Sequence, residues 1–427
     1  MRLCPARGGC RRPRVRNAAR AVAAALVLAA SPAPAQEADD AVSLAFRTAL
    51  KSTLLVTGPA GDSDLSADTT AVQGFWRARF EPTVRFGGDV TVSGAYEVRL
   101  RVLSADAGLS GAGILPRETP APYRIRQLDW NLLATPGASA WNEIDRAFVG
   151  WHRSNAEITI GRQAIGWGRG VLFSAVDLFS PFTPLEADRE WRRGVDAVRA
   201  DIKFAPRRSL DLVGAFGPSI DESAFAGRLR AYAGRADVEV VGGRRAQDWF
   251  GGATTSAAVK GGEVHAEVAV FRTGDRPPSP YVDQVAAKAV VGGSYQLPIG
   301  PGILTYVEYH YSGFGVTDPS QILPALSDPV FLKRYLRGDT QILERHAIGI
   351  VSTAEWSPEL TLGGQWIHNP LDGSGVVAPS VIWSLGDKAS VLINLYFPYG
   401  ASPAGLMLHS EYGASGRSGL VQVRLYG

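Results

Sequence analysis

The chain has 427 residues, of which 45% are hydrophobic and 20% are charged, with a formal net charge of +3 and two cysteines. Seven arginines and no acidic residue lie within residues 1–20; without them the net charge changes from +3 to −4, so the basic balance gives no support for nucleic-acid binding. Cys4 and Cys10 lie in the same region, which excludes disulfides, thiol catalysis and thiolate metal sites from the rest of the chain.

The first 35 residues have the organisation of a secretory signal peptide. The basic stretch is followed by an apolar run, residues 21–30, that is too short to span a membrane, and Ala33-Pro34-Ala35 matches a small-residue cleavage motif. We therefore expect residues 1–35 to be removed on export and residues 36–427 to form a single domain. That domain contains no apolar run of about 18 residues, so the sequence predicts no membrane-spanning helix.

From residue 43 onward, about eighteen segments read as strands, and the connections between them alternate between short and long. The short turns are at Gly88, 154–155, 206–207, 234–235, 261–262, 298–302, 357–358 and 387–388. The long connections are 58–70, 104–139, 168–193, 217–222, 244–247, 274–283, 314–342, 370–374 and 398–416. This alternation predicts an all-β fold, a transmembrane antiparallel up-and-down β-barrel of about eighteen strands, with sixteen as the next choice. The short turns should lie at one rim and the long connections at the other.

The predicted strands alternate between apolar and polar residues, which is the period of a β-strand. In residues 75–86, one face carries Trp76, Ala78, Phe80, Pro82, Val84 and Phe86, and the other carries Arg77, Arg79, Glu81, Thr83 and Arg85. A soluble β-sandwich alternates in the same way. The export signal, strands longer than the globular average of about 5–6 residues and aromatics near strand ends favour the membrane barrel, whose strands need about 9–11 residues.

The polar faces are too charged for a dry core, because unpaired buried charges are costly, so they should line a wet lumen. Arginine dominates the strands between 71 and 233, and acids dominate those between 236 and 313. The two signs could create a transverse field across a channel, or they could simply pair with each other. The predicted pore-lining residues are Arg77, Arg79, Arg99, Arg101, Arg199, Arg228, Arg230, Glu263, Glu267 and Glu308.

One strand breaks the alternation, because Arg162 shares a face with Ile158 and Ile160. A lipid-facing charge at mid-bilayer costs roughly 2–4 kcal/mol. The pattern therefore predicts a bulge at Gly161 that turns Arg162 inward, or a position near the membrane interface.

The stretch after this strand is the most distinctive in the chain. Residues 161–168 read GRQAIGWG, residues 177–182 read DLFSPF, and residues 194–199 read GVDAVR. The stretch resembles a porin-like family of proteobacterial outer-membrane proteins, within the alginate-export-like and porin group, whose members carry GRQ-x-x-x-WG and a G-V-D-x-x-R strand start. Weaker matches lie at 128–129, 145–148 and 308–311. The resemblance implies a barrel fold and an outer-membrane location, but no particular cargo.

The connection 168–193 is too long and too apolar for a free extracellular loop. Its apolar residues need burial, which only the lumen or the neighbouring loops can provide. We expect the loop to fold into the lumen and form a constriction; a lid over the extracellular rim is the alternative. The predicted constriction residues are Arg169, Asp177, Phe179, Asp188 and Arg192.

The sequence offers little support for an enzyme. The six histidines show no metal-ligand spacing, no G-x-S-x-G motif occurs, and we predict no catalytic residue, cofactor or metal. We expect a porin-like channel for diffusion or export of small or acidic solutes in a Gram-negative outer membrane. Its partners would be lipid, lipopolysaccharide and small or anionic solutes, with an oligomer compatible with the sequence. A barrel-embedded hydrolase and a structural or adhesion barrel remain as alternatives.

Overall fold

The structure, a computed structural model, describes residues 42–60, 69–104, 113–116 and 121–427. The predicted signal peptide, residues 1–35, lies outside this part of the chain. The strands are β1 (Val42–Thr57), β2 (Ala71–Phe86), β3 (Val90–Leu103), β4 (Asp129–Thr135), β5 (Ala138–Arg153), β6 (Ala156–Gln163), β7 (Val195–Ala205), β8 (Arg208–Ala215), β9 (Ala224–Ala233), β10 (Ala236–Arg245), β11 (Asp248–Val259), β12 (Gly262–Arg272), β13 (Val285–Leu297), β14 (Ile303–Ser312), β15 (His346–Ser357), β16 (Leu360–His368), β17 (Gly375–Ser384), β18 (Ala389–Tyr399) and β19 (Ser418–Tyr426).

These strands form one closed antiparallel barrel. Each strand pairs with its neighbours along the chain, and β1 pairs with both β2 and β19, which closes the sheet. Because β3 pairs directly with β5 over its whole length, the closed ring contains eighteen of the described strands. The remaining strand, β4, pairs only with the first half of β5, above the point where β6 ends. The prediction of an up-and-down barrel of about eighteen strands is therefore confirmed.

The connections alternate as the sequence indicated. The predicted short turns all lie between consecutive strands at one end of the barrel, and the predicted long connections lie at the other end. The connection predicted at 244–247 is shorter than expected, because β10 extends to Arg245 and only residues 246–247 separate it from β11. The segment predicted as a long loop at 104–139 contains β4, whose residues are exposed on both faces. The connection between β14 and β15 contains two short helices, α1 (Ile322–Ser327) and α2 (Pro329–Arg337). None of the helices that the structure describes reaches the length and hydropathy that crossing a membrane requires.

The two ends of α2 are each fixed by one residue, a capping aspartate at the start and a glycine at the end. Asp328 begins the helix by accepting a hydrogen bond from the Phe331 amide at 2.8 Å, and Pro329 occupies the first turn, where its missing N–H costs nothing. Gly338 ends the helix in the left-handed region, with φ of 85°, which glycine adopts without strain. A methyl group at that position would approach Pro181 within 2.5 Å. The end of α2 therefore lies directly against the connection between β6 and β7.

The outward face of the barrel is apolar over most of its circumference. Val268, for example, is 46% exposed at the middle of β12 and pairs with Ala253 and Ala289 on the same face. Other exposed apolar residues on this face are Val92, Val149, Val198, Leu212, Val240, Val264, Val291, Val307, Ile393 and Val421. A belt of this kind is what a membrane-spanning barrel presents to lipid.

The hydrophobic core lies inside the barrel rather than between two sheets. The connection 164–194, called here the inner loop, folds into the lumen, and its apolar residues are buried against inward-facing wall residues. The loop residues in this cluster include Ile165, Trp167, Leu172, Phe173, Val176, Leu178 and Phe179. The wall residues include Leu55, Phe75, Val213, Val241, Phe250, Phe271 and Ala347. The inner loop thus occupies the lumen and contacts strands around much of the ring.

Candidate functional site

The inner loop is held at one side by two glutamates of the barrel wall. The Glu267 carboxylate accepts hydrogen bonds from the backbone amides of Arg169, Gly170 (3.0 Å) and Ala175 (2.7 Å), and from the Ser174 hydroxyl (2.8 Å). One carboxylate thus gathers the two ends of a short turn, as a bound anion would in a backbone nest. Hydrogen bonds to an ionised acceptor are about twice as strong as neutral ones.

Glu308 lies on β14, two strands further round the ring, and holds residues 171–173 of the same turn. Its carboxylate accepts the backbone amides of Val171, Leu172 and Phe173, the latter two at 3.0 Å. Its Oε1 also lies 3.4 Å from Nε2 of His265. Both Glu267 and Glu308 were predicted as pore-lining residues, and the structure places them beneath the inner loop, where their charge is used by loop amides. Glu263, on the same face of β12, is exposed and lies away from these contacts.

The predicted constriction residues make contacts that fix the shape of the loop. Arg169 reaches the acidic wall, with Nη2 2.7 Å from Asp237 and 3.1 Å from Glu239. Asp177 and Arg192 form an ion pair at 2.5 Å within the loop. Phe179 is fully buried and packs edge-on against Trp167, with ring centroids 5.1 Å apart.

On the opposite wall, basic side chains of β1–β3 surround the far end of the inner loop. Asp188 binds Nζ of Lys51 at 2.6 Å, and Glu190 binds the same ammonium at 2.6 Å. The Trp191 ring is approached by three cations: Lys51 Nζ lies 3.7 Å from its centroid, and the guanidinium carbons of Arg77 and Arg79 lie 4.6 and 5.2 Å away. Such stacking stabilises a cation by about 0.5–2 kcal/mol. The loop therefore bridges the acidic and basic walls of the lumen.

The arginines of this wall are paired with acids interleaved among them. Glu97, fully buried, contacts Arg77 at 2.6 Å, Arg99 at 2.6 Å and also Arg79. Arg77, Arg79 and Arg99 are 3%, 4% and 3% exposed, so little of their surface faces open solvent. Glu143 and Asp145 of β5 complete the network through Arg99, Arg79 and Arg124. Sequence reasoning counted these arginines but missed Glu143 and Asp145, whose i,i+2 spacing on one strand face was the available signal.

The other predicted basic residues are also engaged. Arg199 and Arg228 each lie 2.9 Å from Asp211, and Arg230 pairs with Asp201. Arg101 donates to the Pro116 carbonyl at 3.3 Å and lies over the Phe75 ring. The side chains of Arg199 and Arg230 are 29% and 33% exposed. They therefore present more charge to solvent than Arg77, Arg79 and Arg99, the three arginines that pair with Glu97.

A narrow cavity of about 60 Å³ lies between the basic wall, the inner loop and the end of α2. That volume holds a few water molecules. The lining residues that carry charge or an aromatic ring are Arg77, Arg99, Phe182, Glu186, Trp191, Arg193 and Arg337. The cavity is therefore a tight, mainly cationic space at the level of the inner loop.

Arg162 of the GRQ motif lies on the outward face of the wall, contrary to the expectation that a bulge turns it inward. It pairs in register with Ala147 and Asp196, on the face that carries Ile160 and Val198, and the ladder continues without a shift. Gly161 has φ of 120°, but the predicted bulge at that residue is absent, and the only register shift in this part of β5 follows from an extra residue near Asp145.

The Arg162 charge is bound by the chain that leads into β4. Its guanidinium binds Asp196 at 2.7 Å and donates to the carbonyls of Gln127 (2.7 Å) and Ile144 (2.8 Å). Asp196 in turn accepts the Ile125 amide at 2.9 Å. We call this arrangement the Arg162 clip. Through Arg162 and Asp196, the clip joins the GRQ and GVD motifs of the sequence at the point where β6 ends and the inner loop begins.

Comparison with known proteins supports the fold. No protein-family description and no curated protein matches the sequence. Among solved structures, OccAB1 of Acinetobacter baumannii superposes with a TM-score of 0.56 at 11% identity, covering 93% of this chain and 99% of that one. OccK9 (OpdG) of Pseudomonas aeruginosa gives 0.55 at 10% identity, covering 90% and 98%. OccAB4 of Acinetobacter baumannii gives 0.51 at 9% identity, covering 92% and 100%. At these identities the likeness concerns the barrel architecture.

Among the described residues, no group of three or more histidine, cysteine or acidic side chains is arranged to hold a metal ion.

Proposed function

We propose that the chain is a channel of the bacterial outer membrane through which small solutes cross. The observation that carries the proposal is the combination of an apolar outward belt with a charged lumen that a folded-in loop narrows. Membrane barrels have polar interiors, and a loop folded into a charged lumen is the arrangement that narrows a pore. The architecture shared with the Occ structures supports the same reading, as does the predicted signal peptide.

We further propose that the route passes along the basic wall, where the cavity beside Trp191 is the narrowest part. Arg193 and Arg337 line this space, and Arg101, Arg199 and Arg230 carry the more accessible positive charge of the same side of the lumen. Because Arg77, Arg79 and Arg99 are paired with Glu97, the net attraction of the wall for anions should be mild. Small or acidic solutes are the cargo class that fits such a wall.

Planar-bilayer recording tests the proposal. The purified barrel should conduct, and a KCl gradient should give a reversal potential with a mild anion preference that weakens as salt screens the wall. An Arg101→Ala/Arg199→Ala/Arg230→Ala variant, which removes the more accessible charges, should lose this preference, whereas Arg153→Ala, at an exposed short turn, should keep it. A barrel that inserts but never conducts would favour a structural role instead. Equal selectivity of wild type and the triple variant would exclude the basic wall as the selective element.

A further inference from the structure

Three of the long connections meet at a cluster of carboxyl groups. Glu344 comes from the connection between β14 and β15, Asp372 from the one between β16 and β17, and Glu411 from the one between β18 and β19. We call these residues the carboxyl cluster. None of the three forms an ion pair with any residue in the part of the chain that the structure describes, whereas acids such as Glu97, Asp211 and Asp339 are paired with arginines.

The backbone ties the three connections together through these carboxyls. Glu411 accepts the amides of Leu343 at 2.8 Å and Glu344 at 3.1 Å. Asp372 accepts the Glu411 amide at 2.6 Å and the Ser374 hydroxyl at 2.9 Å. Each connection therefore holds the next, and opening one contact would free the others.

Glu344 is the member whose burial is hardest to reconcile with a negative charge. Its side chain is 0% exposed, and Asn369 donates to Oε2. Its other oxygen, Oε1, is buried without a hydrogen-bond partner among the described residues. Burial raises the pKa of Glu344, and Asp372, whose carboxylate accepts the Glu411 amide, raises that pKa further through a side-chain hydrogen bond, although Asp372 too is an acceptor when ionised. Two acceptors can share a hydrogen bond only if one of them carries a proton.

We propose that a proton held between Glu344 and Asp372 fastens the three connections, so that this end of the barrel is closed at acidic and neutral pH and loosens in alkaline solution. The proton removes one charge from a buried group of like charges and supplies the donor that Oε1 otherwise lacks. Losing it leaves adjacent carboxylates in a site from which water is largely excluded, where their repulsion is strong.

The charged neighbours favour this assignment. Burial, the Asp372 contact and the charges of Asp372, Glu411 and Asp318 raise the pKa of Glu344 to about 9. Burial raises the pKa of Glu411 to about 7, with the Leu343 and Glu344 amides acting against it. Tyr412, whose pKa is raised by burial and by the Glu411 charge, brings no positive charge.

The direction of the pH effect follows from these shifts. An acid with a raised pKa in the closed arrangement binds its proton more tightly there than in the open one. The closed arrangement is therefore favoured fully below the ordinary value of 4.5, and the preference is lost as the pH rises towards about 9 for Glu344 and about 7 for Glu411. For each proton released on opening, the open fraction should rise by up to about tenfold per pH unit within that window.

Hydrogen–deuterium exchange on the full barrel tests the proposal without any measurement of conductance, so its outcome is separate from that of the proposed function. The reporters are the amides of Leu343, Glu344 and Glu411, which bond directly to the cluster. Their protection factors, corrected for intrinsic exchange, should fall between pH 6 and pH 8.5 in the wild type. Glu344→Gln, which carries a permanent donor, should reduce this pH dependence to the part that Glu411 contributes, and Glu355→Gln, an exposed acid on β15, should behave as wild type.

Other outcomes overturn the proposal. Protection that is constant with pH in the wild type would exclude a titrating fastener, whether or not the variants fold. Equal pH dependence in Glu344→Gln and wild type would place the titrating group elsewhere. Restoration of protection at pH 8.5 by added CaCl2 would assign the cluster to a cation instead of a proton. Should Glu344→Gln fold poorly, Glu411→Gln provides the second variant, with a reduced pH dependence expected.

Discussion

The carboxylate of Glu308 accepts a hydrogen bond from the backbone amide of Phe173, which lies 135 residues away in sequence, at 3.0 Å. Glu308 and Glu267 thus anchor the inner loop, because their carboxylates accept hydrogen bonds from its backbone amides. The charges that hold the loop are thus distinct from those left to act on a passing solute.

Removing these anchors should loosen the inner loop. We expect Glu267→Gln/Glu308→Gln to lower the free energy of unfolding by about 1.5–3 kcal/mol per carboxylate, because each loses hydrogen bonds made to a charged acceptor. Single-channel conductance should rise and become noisier as the loop moves. Urea unfolding and bilayer recording measure the two effects. Glu263→Gln, an exposed acid on the same face of β12, is the matched control, and an equal response from it would refute the anchoring role.

The Arg162 clip makes a second prediction. Arg162→Ala leaves the Asp196 carboxylate on the outward face without its ionic partner, and breaking a buried pair in this way costs about 3–5 kcal/mol. The urea midpoint should fall accordingly. Arg153→Ala removes the same side chain at an exposed turn and should change stability by no more than about 0.5 kcal/mol. Similar midpoints for the two variants would mean that the clip contributes nothing.

Depth in the membrane should govern substitutions on the apolar belt. Val268→Arg places a charge at the middle of β12 and should destabilise the barrel by roughly 2–4 kcal/mol, whereas Val259→Arg, beside a short turn, should cost only about 0–1 kcal/mol. Unfolding of both variants in lipid vesicles provides the comparison. If the two costs are equal, Val268 does not lie at the midplane.

Trp191 should control the width of the cavity beside the basic wall. Trp191→Ala removes the ring on which Lys51, Arg77 and Arg79 stack, so we expect faster liposome swelling with larger solutes and a weaker hold on the end of the loop. Trp191→Phe keeps an aromatic face and should lie closer to wild type. Unchanged swelling rates in Trp191→Ala would show that solutes do not pass this ring.

Much of the fold could be predicted because its signals are local. Period-two alternation in segments such as 75–86 identified the strands, and residues such as Gly88 marked the turns between them. The apolar content of 168–193 indicated a loop that needed shelter. The strand β4 was missed because its seven residues are exposed on both faces. No buried side therefore imposes a regular alternation of apolar and polar residues on its sequence.

The roles of individual charges were harder to predict because they depend on partners distant in the chain. Glu267 and Glu308 look like ordinary lumen acids until the loop amides are placed against them. Arg162 was expected to turn inward at a bulge or to lie near the membrane interface, since parity alone cannot reveal that the carbonyls of residues 126 and 127 bind its guanidinium. Strand alternation assigns a face to a side chain, whereas the contacts made there follow from tertiary structure.

The closure between β1 and β19 has a consequence for how the protein is made. Ala49 lies opposite Tyr426, and Thr48 and Gly427 exchange a pair of backbone hydrogen bonds, whereas the other strand pairs join segments close in sequence. Each hairpin joins neighbouring segments, but this seam joins the first and last strands of the ring, and bringing distant segments together carries an entropic cost that slows folding. Until then the first and last strands have unpaired edges, which attract other chains. The seam is thus the step at which an assembly factor or the membrane itself would have most influence on yield.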